Sequence, residues 1–167
     1  MRRKDLLWIL AYPVYQTIGT FRHEGSHALA AMAEGASVTE FAFWPSFYNG
    51  RFYWGYACWE GSTTWSTMAA PYCCDLLTFF VALLIILEAK PQRRWLWANL
   101  LIIGVISPLA NSAYSYFRGL AGVPNDTAVL LSNLNPVAVH LYFVLTLAFY
   151  AWGLYYCYFR RKTWHPE

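Results

Sequence analysis

Residues 22–31 read Arg22-His23-Glu24-Gly25-Ser26-His27-Ala28-Leu29-Ala30-Ala31, an HExxH pattern inside an otherwise apolar, small-residue stretch. On an α-helix, positions i and i+4 share one face, so His23 and His27 can direct two imidazoles at a single metal ion. Glu24 falls one position along, beside the metal rather than on it, where a carboxylate can hold a water and take its proton. Two nitrogen ligands and a general base are the components of metal-assisted peptide hydrolysis. Ionisable groups are costly inside an apolar span, and where they occur they mark functional sites.

Working outward, composition sets the solvent. The chain has 167 residues, of which 58% are hydrophobic, 20% aromatic and 13% charged. A soluble domain carries about 25% charged residues, and so short a chain could not bury this much apolar surface in a single aqueous core. The solvent is therefore lipid, and the fold class is an α-helical integral membrane protein forming one domain over residues 1–167. The net charge is only +3, and the basic residues gather at span ends rather than along one face, which excludes a nucleic-acid-binding surface. Cys58, Cys73, Cys74 and Cys157 lack zinc-finger spacing, and the vicinal pair reads as packing. Met1-Arg2-Arg3-Lys4 followed by apolar residues has the start of a signal peptide, but no small-residue cleavage site precedes the motif. We read this segment as a retained first span.

That first hydrophobic segment runs from Leu6 to Glu34 and is ended by Gly35. It would reach roughly 43 Å as one helix, more than the ~30 Å hydrocarbon core. Pro13 is expected to kink it or to start a new helix, leaving Val14 to Glu34 to carry the motif. From Ser37 to Trp59 the pattern changes to strand formers around Asn49-Gly50, the preferred two-residue hairpin turn. This predicts a β-hairpin at the membrane interface, its aromatics forming an interfacial belt. A sharper expectation is that one strand edge receives an extended peptide substrate by β-addition.

Further spans are expected at Thr67–Leu87, Trp95–Tyr116 and Val137–Phe159, giving about four transmembrane helices. The second carries Asp75. The third carries Ser107-Pro108 and Asn111, which predict a break or a polar, cavity-facing side. Residues 118–136 are too polar for a span. There Gly119, Gly122 and Pro124 precede Asn125-Asp126-Thr127 and barely two apolar turns, which predicts a short or re-entrant helix begun near Asp126. The plainer reading of Asp126 is an N-cap.

Nine of the twelve basic residues fall in three clusters, at 2–4, at 90–94 and at 160–162. Four crossings put all three on one side, which the positive-inside rule makes cytoplasmic, with both termini inside and the protein in the cell (inner) membrane. His23, His27 and Asp126 then fall in the same, opposite half of the bilayer.

A catalytic zinc usually has three protein ligands and an open position. Asp126, Asp75, Glu34 and His140 are the candidates for the third. Asp126 is favoured because it follows a Gly/Pro break, the irregular backbone that lines cavities at membrane depth.

Phe21 to Gly35, with its HExSHALAA run, resembles the motif helix of the site-2 protease family of intramembrane zinc metalloproteases. The resemblance implies a Zn²⁺ cofactor, a β-rich stretch after the motif helix, and a later aspartate supplied after a Gly/Pro/Asn-rich break. Asp126 occupies that position here. Thr127 follows it where the family has glycine, and the full Asn-Pro…Asp-Gly pattern is absent. The family's zinc lies nearer the cytoplasmic face, whereas the basic clusters place this site in the other half.

These readings converge on an intramembrane zinc endopeptidase acting on transmembrane or membrane-adjacent protein substrates in the lipid bilayer, with no nucleic-acid partner. His23, His27 and Asp126 would hold the metal, and Glu24 would be the base. Ser107, Asn111, Asn125 and His140 would line a water-admitting cavity, with Asn111, His140 or Asn125 as oxyanion donor. A regulatory membrane partner would act by plugging the hairpin. The alternative is a catalytically silent metal-binding membrane protein that binds membrane peptides or partners, against which the carboxylate of Glu24 argues. Four histidines are too few for a membrane di-iron oxidase, and neither inverted repeats nor a charged relay marks a transporter.

Overall fold

The computed structural model describes the backbone of residues 3–164 and the side chains of residues 11–159. The basic residues at 2–4 and 160–162 lie outside the described side chains. The elements in order are α1 (Arg3–Ala33), β1 (Ser37–Ala42), β2 (Ser46–Tyr48), β3 (Arg51–Tyr53), β4 (Tyr56–Glu60), α2 (Trp65–Ala89) and α3 (Arg94–Leu101). A π-helical turn (Ile102–Ile106) leads into α4 (Ser107–Leu120), followed by α5 (Asp126–Asn133) and α6 (Pro136–Trp164).

Among the described residues, three helical stretches are long and apolar enough to cross a membrane: Trp65–Ala89, Arg94–Leu120 and Pro136–Phe159, with mean hydropathies of 2.2, 1.5 and 1.7. The chain is a membrane protein on that ground. α1 is not among the three, because Arg22, His23, Glu24 and His27 interrupt its apolar run. At Pro13, where a kink or a new helix was expected, no new helix starts and α1 runs on through the proline. Proline removes the bond to the Ile9 carbonyl, but the Thr17 hydroxyl donates to the Pro13 carbonyl at 2.9 Å and helps tie the next turn together.

Of the two expectations at Ser107-Pro108 and Asn111, the break does not occur, whereas Ser107 and Asn111 do face polar partners on α1 and α2. The chain stays helical but widens into a π turn, in which the Ser107 N–H reaches back five residues to the Ile102 carbonyl. In that geometry the Ile103 carbonyl looks for the N–H of residue 108, which proline lacks. The orphan acceptor is taken instead by Arg22 of α1, Nη1 to O at 3.1 Å. Gly104 lets α2 approach the same turn, since a Cβ added there would stand 2.0 Å from the Ala82 Cβ.

The hairpin forms over the predicted residues in two tiers. β1 pairs antiparallel with β4 (Phe41 opposite Ala57), and β2 pairs with β3 (Phe47 opposite Phe52). Asn49 and Gly50 turn between the inner strands with φ of 49° and 74°, the two positive angles a type I′ turn requires. Phe47, Phe52, Trp44 and Trp54 are exposed around its tip. Between the two tiers Gly55 packs on α1, where a Cβ would meet Thr20 Cγ2 at 2.3 Å. The sheet is thereby pressed against the turn of α1 that precedes the motif.

Two apolar clusters hold the helices together. One gathers Phe79, Leu83 and Ile86 with Val105, Tyr150 and Cys157. The other gathers Tyr72, Tyr116, Leu130, Val139 and Phe143, and seats α5 against α2, α4 and α6. The four cysteines are free thiols, with Cys157 buried in the first cluster and Cys73 exposed rather than packed.

Candidate metal centre

α4 stops because Gly122 adopts φ 72°, closing a Schellman turn in which Val123 N–H bonds the Arg118 carbonyl and Gly122 N–H bonds that of Gly119. The chain then doubles back into α5, as expected for residues 118–136. The cap of α5 is Asn125, not Asp126: the Asn125 Oδ1 accepts from Ala128 N–H at 2.9 Å, and its Nδ2 donates to the Ser115 carbonyl at 2.7 Å. With the cap supplied by its neighbour, Asp126 at the first helical position is free to point elsewhere. It points at the motif.

Asp126 Oδ2 lies 3.1 Å from His23 Nε2 and 3.3 Å from His27 Nε2. One ligand atom from each of the three lies within 4.8 Å of the others, the one such group among the described residues. Ligands about 2.1 Å from a tetrahedral zinc stand about 3.4 Å apart, so the arrangement has the size of a metal site. The donor chemistry agrees. His27 Nδ1 is 2.8 Å from the Thr67 carbonyl, which can only accept, so the proton sits on Nδ1 and the Nε2 lone pair faces the carboxylate. A proton on Nε2 or a metal cation between the groups satisfies this arrangement, and two imidazoles with one carboxylate form a donor set that suits Zn²⁺.

His23 Nδ1 faces the Asn111 Nδ2 at 3.2 Å, and the same nitrogen donates to Asp75 Oδ2 at 2.7 Å. The other oxygen of Asp75 is held by Arg22, with Nε at 2.8 Å and Nη2 at 2.7 Å. Arg22 also donates to Ser107 Oγ at 3.1 Å, so one guanidinium ties α1 to α2, the π turn and α4. The Tyr72 hydroxyl meets Ser115 Oγ at 2.5 Å, Thr127 Oγ1 at 3.3 Å and Asp126 Oδ2 at 3.5 Å. Glu24 stands near both histidines and Asp126, and faces the backbone N–H of Ala57 on β4. The Trp59 ring, also on β4, lies 6.1 Å from that of His27. The His23 and Asp126 side chains keep 17% and 24% of their surface exposed, against 6% for His27, so the open side of the triad is the His23–Asp126 side.

Of the four candidates for the third ligand, Asp126 is the one brought to the histidines. Asp75 is engaged by Arg22 and Asn111. His140 Nδ1 bonds the Tyr116 hydroxyl at 3.0 Å. Glu34 lies at the far end of α1 and caps α2: it accepts from Thr64 N–H, the Ser66 hydroxyl and, at 2.9 Å, the Thr67 hydroxyl. Asn111, Asn125 and His140, the oxyanion candidates, are all committed to the bonds just described. The sequence reading missed Arg22, Tyr72 and the Thr67 carbonyl. A lone cation in an apolar helix should have been paired with the lone acid Asp75. A backbone carbonyl carries no sequence signal at all.

The hydroxyls around Glu34, Ser66 first, hold its carboxyl down at about 2, against an ordinary value of 4.5. A carboxyl depressed on folding stabilises the fold above its unfolded value, and that contribution is lost as pH falls through the folded one. Glu34→Gln is therefore expected to lower the melting temperature at pH 7, with the difference from wild type closing between about pH 4.5 and pH 2. Zinc content should be unchanged, and its loss would return Glu34 to the metal.

Compared with protein-family models, with curated proteins and with solved structures, the chain matches none of them.

Proposed function

We propose that this chain is an intramembrane zinc endopeptidase of the kind the site-2 protease resemblance implies. The observation that carries the proposal is the convergence of His23 and His27 from α1 with Asp126 from α5, with Glu24 one position along the same helix. The three would hold Zn²⁺. When bound, the metal lowers the pKa of a water towards about 7 and polarises the scissile carbonyl.

The rest is done by the chain. Glu24 takes the proton of the attacking water and hands it to the leaving amine nitrogen. The Ala57 N–H of β4 faces the Glu24 carboxylate. Among the described residues the β1–β4 ladder has two strands, so β4 turns one edge away from β1, and it runs beside the motif helix. An extended substrate segment added to that edge would present its peptide groups to Glu24. This supports a membrane-embedded or membrane-adjacent protein as substrate, since an unwound segment is what a strand edge can accept. α1 is the fourth crossing, and the three basic clusters put both termini on the cytoplasmic side of the cell membrane.

The test is hydrolysis of single-span membrane peptides by the purified protein in proteoliposomes. Cleavage should stop on removal of zinc by a chelator and return on its re-addition. Cleavage indifferent to the chelator would refute the metal mechanism.

A further inference from the structure

A histidine that binds zinc through Nε2 carries its proton on Nδ1, and the partner of that proton fixes ring orientation and basicity. In this structure His27 Nδ1 faces a carbonyl of α2, and His23 Nδ1 faces an amide of α4 that a carboxylate of α2 holds. Thr67 at the start of α2 offers its carbonyl to His27 at 2.8 Å. Asp75, eight residues further along the same helix, reaches His23 through Asn111, with steps of 2.7 Å and 3.2 Å. Asp75 is 1% exposed, so its charge is placed deep between helices, where an ion pair is a poor source of stability by itself. It divides its two oxygens, Oδ1 to Arg22 and Oδ2 to Asn111.

We propose that Asp75 is a positioning residue for the metal centre, acting on His23 through the Asn111 amide, with Arg22 as its counter-charge. The inference rests on the metal-site reading above. Here the Asn111 Nδ2 faces His23 Nδ1 and donates to Asp75 Oδ2. A metal on Nε2 would put the ring proton on Nδ1, and because a carboxylate only accepts, Asp75 would keep Nδ2 while the amide turns to offer Oδ1 to that proton. Arg22 balances the carboxylate and, through the Ile103 carbonyl orphaned by Pro108, locks the assembly to the π turn. The buried ion pair thus orients a ligand in addition to joining helices.

The experiment is zinc affinity of the full-length protein in detergent, by competition with a chromophoric chelator, for wild type, Asp75→Asn and Asn111→Leu. The cobalt(II) absorption spectrum and the melting of the metal-free protein are recorded alongside. Asp75→Asn leaves Arg22 unpaired and can fail to fold. Asn111→Leu keeps the Arg22–Asp75 pair and removes the amide with both its contacts, to Asp75 and to His23. Loss of outer partners typically weakens metal binding about 10–100-fold, and we expect that range for Asn111→Leu, with an altered cobalt spectrum. Wild-type affinity and a wild-type cobalt spectrum in Asn111→Leu would overturn the inference and leave Asp75 a structural tie. A wild type that takes up no zinc would overturn the metal reading itself, and this inference with it.

Discussion

Glu24→Gln is expected to leave zinc bound at wild-type affinity while lowering peptide hydrolysis by about 10²–10⁴-fold, the usual contribution of a positioned general base. The substitution is nearly isosteric, and the amide oxygen can still accept from the Ala57 N–H, so the hairpin should keep its place against α1. The ligand atoms of His23, His27 and Asp126 are untouched. Affinity and turnover should therefore separate cleanly in this variant. Residual cleavage within about tenfold of wild type would assign the proton transfer to another group.

Asp126→Ala should act on the other half of the same account. It removes the one carboxylate that meets both histidines, at 3.1 Å and 3.3 Å. Zinc affinity is expected to fall by more than the about 10–100-fold typical of an outer partner, and hydrolysis should fall with it. The fold should survive, because α5 is capped by Asn125 and seated by the buried Thr127 and Leu130 rather than by Asp126. Chelator competition measures the first effect and thermal melting the second. Wild-type affinity in this variant would empty the third ligand position of its proposed occupant.

What could be read beforehand depended on whether the signal was local. The HExxH spacing fixes a helix face, Asn49-Gly50 fixes a turn, and Gly122-Val123-Pro124 fixes a break, so His23, His27, the hairpin and the approach to Asp126 were all legible. Each rests on neighbours within about one helical turn. Pro108 shows the limit of such reasoning. Its missing N–H was visible as a disturbance, but whether the helix would break or widen depended on Arg22, 81 residues from Ile103 in sequence, being placed to satisfy the orphaned carbonyl. Glu34 shows the same limit for the site. As an acid at the end of the motif helix it was a fair ligand candidate, yet the start of α2 presented it with Thr64, Ser66 and Thr67. Asp126 needed both kinds of information: the Gly/Pro break before it made it the favoured ligand, while its alternative reading as a cap fell only because Asn125 takes that role.

The central claim is that one zinc sits between these two imidazoles and this carboxylate, and zinc-edge X-ray absorption on the purified protein tests it most directly. The account predicts bound zinc with a first shell of nitrogen and oxygen only, imidazole nitrogens at about 2.0–2.1 Å and a carboxylate oxygen at about 2.0–2.2 Å. A sulfur scatterer at about 2.3 Å would move the metal to the cysteines, and protein that retains no zinc would contradict the account outright.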